Sequence, residues 1–60
     1  MIKDNIYTTI RSIDIGYGIM LYKGTKLTLL DWDDNEVRIL LGGHPCRMKR
    51  EDFEYLVYED

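Results

Sequence analysis

Four acids, Asp31, Asp33, Asp34 and Glu36, fall within six residues in the stretch LLDWDDNEVRILLGG, between two apolar runs. Asp31, Asp33 and Asn35 occupy positions 1, 3 and 5 of a calcium-loop spacing. Such a loop next needs a glycine for its sharp turn and, at its twelfth position, a bidentate glutamate. Those two places hold Glu36 and Gly42. The stretch therefore reads as a strand-to-strand turn whose Asp and Asn side chains bond the local backbone. Its other reading is an acidic contact patch for a basic partner.

The remaining chemistry-bearing residues are few. His44 and Cys46 are the only histidine and the only cysteine. A structural zinc site wants about four ligands, and a thiol nucleophile wants a base, an orienting group and an oxyanion donor. We expect no metal and no cofactor, with Cys46 in the core and His44 in a turn. Arg38, Arg47, Lys49 and Arg50 form a basic set near Tyr55 and Tyr58. Phosphate-seeking cations beside stacking aromatics are the ingredients of a nucleic-acid surface. Glu51, Asp52 and Glu54 partly offset that charge. Gly16-x-Gly18 lacks the Lys-Ser/Thr ending of a phosphate loop.

Five tyrosines, one tryptophan and one phenylalanine exceed what a core of 60 residues readily buries. Tyrosine and tryptophan bring large contact area at low rotamer cost, which suits contact anchors. Tyr17, Tyr22, Trp32 and Tyr55, flanked by Asp33 and Asp34, are the expected partner-binding residues. Core filling is the competing use of the same rings.

The bulk properties bound the rest. The length fits one domain over residues 1–60. The apolar fraction of 45% is too high for a disordered chain. A net charge of −3 disfavours nucleic acid on average, although a local basic patch can override it. A single cysteine forms no internal disulfide, which suits a reducing compartment, and a cytoplasmic location is expected. The N-terminus MIKDNIY carries no signal-peptide pattern, and no run approaches the roughly 18 apolar residues of a membrane span.

Alanine is absent, whereas Ile, Tyr, Thr, Val and Leu abound, which favours strands over helices. Ile6–Ile13 reads as a strand, although Ile2, Ile6, Ile10 and Ile13 recur at near-helical spacing. Ile13, Ile15, Tyr17 and Ile19 alternate with Ser12, Asp14, Gly16 and Gly18, and the Gly16–Gly18 stretch reads as a loop or bulge. Lys26–Trp32 and Glu36–Leu41 read as strands, Gly42-Gly43 as the tight turn after them, and Pro45–Lys49 as a further strand. Glu51–Tyr55 reads as one helical turn, with Phe53, Leu56 and Val57 on one side. Val57–Glu59 then reads as a closing strand. Five short strands with tight connections predict a small barrel, since closure removes reactive sheet edges.

The stretch YKGTKLTLLDWDDNEVRILLGGHPCRMKREDFEYLV resembles the later part of a Src-homology-3-like small β-barrel, over about Tyr22–Tyr58. The likeness lies in the Lys-Gly turn, apolar strand, polar loop, hairpin and short helical turn. It implies a mainly β, five-stranded barrel with a helical turn near the C-terminus. It does not imply binding of proline-rich peptides. The aromatic opening of that subset is absent, and Trp32 precedes the polar loop where the paired tryptophans would follow it.

A barrel this small fills its interior with side chains, so the expectation is a non-enzymatic protein. The leading reading is a small intracellular module, monomeric or homodimeric. It would bind a larger protein stoichiometrically as a regulator or inhibitor, and its small size fits an accessory protein encoded by a phage or mobile element. The second reading is a nucleic-acid-binding barrel using Arg38, Arg47, Lys49 and Arg50.

Overall fold

A computed structural model describes residues 1–16 and 18–59. Its elements run β1 (Ile6–Thr8), β2 (Ile13–Gly16), β3 (Ile19–Leu21), β4 (Lys26–Trp32), β5 (Glu36–Leu41), β6 (His44–Lys49) and α1 (Arg50–Val57). They make a four-stranded sheet in the order β1–β4–β5–β6 and a separate hairpin, β2–β3. Every strand pair is antiparallel. The protein is mainly β with one short helix at its C-terminal end, as the composition predicts.

Alternation in β4, β5 and β6 sets the core face. Leu27, Leu29, Val37 and Ile39 are fully buried, and Met48 nearly so. Phe53 and Leu56 of α1 and Leu21 of β3 complete the core from the other side. The Phe53 ring meets Tyr7 of β1 edge-on at 5.4 Å, and Tyr58 meets both rings in the same manner. Gly42 and Gly43 join β5 to β6 with φ of +57° and +84°. Positive φ at both positions matches the twist of a two-residue hairpin, and glycine adopts it at no steric cost.

One irregularity decides the fate of Trp32. Pairing between β4 and β5 slips between Leu29 and Asp31, which leaves Leu30 as the extra residue. Unbroken alternation from Leu27 and Leu29 would turn Asp31 inward and Trp32 outward. After the bulge Trp32 stands opposite Val37 and packs, half-buried, against the core. Asp31 stays outside, opposite Arg38.

The ends of α1 are closed by other parts of the chain. The first helical N–H, on Arg50, donates to the Asn35 carbonyl at 3.0 Å, and Lys49 provides no side-chain cap. Glu51 and Asp52 in the first turn suit the positive end of the helix dipole. At the other end the Ile10 N–H donates to the Leu56 carbonyl at 2.7 Å, and the Arg11 guanidinium donates to the carbonyls of Tyr55 and Tyr58. The helix has no basic residue in its last turn, so Arg11 supplies the cation from the β1–β2 link.

Three expectations are corrected. Among the described residues there are six strands, not five, and the sheets they form do not close into a barrel: β1 and β6 are the edges of the four-stranded sheet. Val57–Glu59 makes no closing strand, because burial of Leu56 extends the helix to Val57 and the Leu56 carbonyl is taken by Ile10. The Ile6–Ile13 strand stops at Thr8. Thr9 is buried, its hydroxyl donating to the Tyr22 carbonyl and accepting from the Thr25 N–H, both at 2.9 Å. The chain leaves the sheet there to cap the helix.

Candidate functional site

The acidic turn is a local backbone device. Asp33 Oδ1 accepts the N–H groups of Asn35 at 2.8 Å and Glu36 at 2.9 Å, and the Asp33 N–H donates to the Glu36 carbonyl. The N–H groups of Glu36 and Asn35 hold the Asp33 carboxyl below its ordinary pKa, with Arg38 and Arg50 adding smaller pulls. Asp31 is engaged elsewhere, by the Arg38 guanidinium on the outer face of the sheet. Asp31 and Asp33 are thus held by different partners, one across the sheet and one within the turn. Among the described residues no three His, Cys, Asp or Glu side chains converge.

The basic set divides. Arg38 and Arg47 stand directly opposite each other on β5 and β6, and Lys49 faces Glu36. These side chains share the outer face of the sheet. Glu36 takes Arg38 at 3.2 Å and Arg47 at 3.8 Å, so with Asp31 two acids offset two arginines. Arg50 lies apart, on the first turn of α1, and donates to the Asp33 carbonyl at 3.1 Å. His44 is exposed and Cys46 is half-buried against the core.

The described members of the aromatic set lie in different parts of the chain. Trp32 ends β4 against the core, with Asp33 and the exposed Asp34 after it. Tyr55 lies on α1, 51% exposed, with the Arg11 guanidinium 4.7 Å over its ring. Tyr22 follows β3 and is 67% exposed. Tyr17 lies outside the described residues.

Two neighbours of Tyr22 lie outside the expected contact set. Ile19 and Met20 on β3 are 40% and 43% exposed. The base of their hairpin is fixed. Ile13 pairs with Leu21 against the core, and the Lys23 N–H donates to Ser12 Oγ at 2.9 Å. The Tyr22 carbonyl accepts from the hydroxyls of Thr9 and Thr25 at 2.9 and 2.6 Å. Toward the tip, Asp14 faces Met20 and its Oδ1 accepts the Gly16 N–H at 2.8 Å. Anchored strands thus hold apolar side chains out in water. The available signal was the apolar run Ile19–Tyr22, broken by no polar residue.

No known protein family, curated protein or solved structure matches the chain.

Proposed function

We propose that this protein is a non-enzymatic binding module that docks the β2–β3 hairpin onto a larger protein, one to one, and regulates it. The observation that carries the reading is the exposure of Ile19, Met20 and Tyr22 on a hairpin whose base is clamped by Thr9, Ser12 and Thr25. Exposed apolar runs are costly to solubility and are kept where they bind something. A clamped base lowers the ordering cost of association, and methionine adapts its shape to a partner pocket. Tyr22, an expected contact, directly follows β3. Trp32 enters the reading as a support for the fold, and Asp33, Asp34 and Tyr55 as flanking residues. We also propose a resemblance in fold to Src-homology-3-like barrels over about Tyr22–Tyr58. The β4–β5–β6 meander speaks for it, and the open sheet departs from it.

The carboxylates best placed for chemistry serve structure instead, Asp31 on Arg38 and Asp33 on its own turn, which supports a role without catalysis. The nucleic-acid reading draws on the adjacent Arg38 and Arg47. Against it stand Asp31 and Glu36, which accept from or lie beside the same guanidiniums.

The test uses the intact protein as bait, with Met20→Ser/Tyr22→Ala as the comparison and Arg47→Glu as a control. A partner captured by the wild type is identified and titrated. The hairpin variant is expected to lose at least about tenfold in affinity while Arg47→Glu keeps it, since central anchors dominate and rim charges contribute little. Equal binding by a folded hairpin variant would remove this reading. A steep salt dependence together with loss in Arg47→Glu would favour nucleic acid.

A further inference from the structure

The two edges of the four-stranded sheet are not alike. On β6 the two-residue turn makes Leu41–His44 the pair that exchanges both hydrogen bonds. The next residue, Pro45, then turns its nitrogen toward the open side, where it has no hydrogen to offer. Lys49 adds a charge farther along the same strand. Proline and lysine are devices that keep an edge from pairing.

The β1 edge has neither. Its residues are Ile6, Tyr7 and Thr8. On the β4 side, Asn5 accepts from the Leu29 N–H at 3.0 Å and Thr9 donates to the Thr25 carbonyl at 2.8 Å. Tyr7 pairs with Leu27 midway between these two contacts. Antiparallel ladders alternate, so Asn5, Tyr7 and Thr9 face β4, and the N–H and C=O groups of Ile6 and Thr8 face outward.

We propose that β1 pairs antiparallel with β1 of a second copy and joins the two sheets into one of eight strands. The register argues for a second copy as the occupant. A two-fold axis through Tyr7 sets Ile6 opposite Thr8 of the second copy, and Thr8 opposite its Ile6. Both are hydrogen-bonded pairs in that register, so all four outward groups on each copy are satisfied at once. The contact is isologous, as closed dimers require. The Ile6 side chain, 62% exposed, gains a neighbour across the new ladder. Three residues a side fall well short of the roughly 800 Å² per partner of a stable complex, so the dimer is weak and forms at high concentration. This surface is separate from the β2–β3 hairpin, and neither proposal rests on the other.

The test is mass by sedimentation equilibrium up to ~1 mM protein, where weak pairing is populated, with amide hydrogen exchange over the same range. The expected result is a doubling of mass, with the Ile6 and Thr8 amides slowing about tenfold or more between dilute and concentrated samples. Thr8→Pro, which deletes an outward N–H, is expected to stay monomeric with an unchanged circular dichroism spectrum. A wild-type monomer at ~1 mM overturns the proposal. So does a dimer whose Ile6 and Thr8 amides exchange as fast as in the dilute protein, or one that survives in folded Thr8→Pro. If Thr8→Pro does not fold, the wild-type exchange rates decide alone.

Discussion

Asp33 and Trp32 stand next to each other and work in different ways. Asp33 is exposed and acts through its carboxylate on two N–H groups of its own turn. Its pKa lies below the ordinary value of 3.8 in the folded protein. A depressed folded pKa gives a contribution that is complete above the unfolded value and lost as pH falls through the folded one. Asp33→Asn keeps an acceptor without the charge. The stability gap between wild type and Asp33→Asn, from urea midpoints, is therefore expected to be constant at neutral pH and to shrink below about pH 4. A gap that widened on acidification would refute this role. Trp32 acts by burial, because the Leu30 bulge turns it toward Val37. Trp32→Ala is expected to cost about 2 kcal/mol in denaturant unfolding, less than a fully buried aromatic would. A change within about 0.5 kcal/mol would place the ring in solvent, as surface substitutions behave.

At the level of elements, the strands whose apolar residues face one core were legible and those that depend on distant partners were not. Lys26–Trp32 and Glu36–Leu41 are β4 and β5 to the residue, since each buries one face against the same core. The Gly42-Gly43 turn was equally legible, because positive φ at consecutive positions selects glycine. Gly43→Ala is expected to cost about 1 kcal/mol in thermal unfolding. An added Cβ would meet nothing within 4 Å, so the cost is backbone strain alone. The Leu30 bulge left no local mark, and it decides which of Asp31 and Trp32 faces inward. The end of the first strand was hidden too. It depends on Thr9 bonding Tyr22 and Thr25 and on Ile10 and Arg11 reaching the end of α1, contacts across long sequence separations. The contact set read from residue type gathered side chains that the fold distributes over β4, α1 and the hairpin. Tyr22 is the member of that set that stands beside the exposed Ile19 and Met20.

For the molecule as a whole, the radius of gyration of 10.3 Å matches the roughly 10 Å expected of a folded domain this long. No described helix is long and apolar enough to cross a membrane. At about 0.05–0.15 kcal/mol per residue, the chain has only ~3–9 kcal/mol of stability to lose. Phe53 touches the sheet from α1 and meets Tyr7 and Tyr58 edge-on. Phe53→Ala is expected to remove about 3–5 kcal/mol and lower Tm by more than about 15 °C. The exposed Met20→Ser is expected to leave Tm within a few degrees. That contrast, read by calorimetry, separates the residues that build the fold from those the fold presents to water.

Methyl-resolved NMR of the protein titrated with its captured partner tests the contact assignment most directly. Docking through the hairpin predicts that the Ile19 and Met20 methyl signals shift and become shielded from a soluble paramagnetic agent, while those of Leu27, Leu29 and Ile39 stay in place. Unmoved Ile19 and Met20 signals, with changes confined to residues around Arg38 and Arg47, would contradict it.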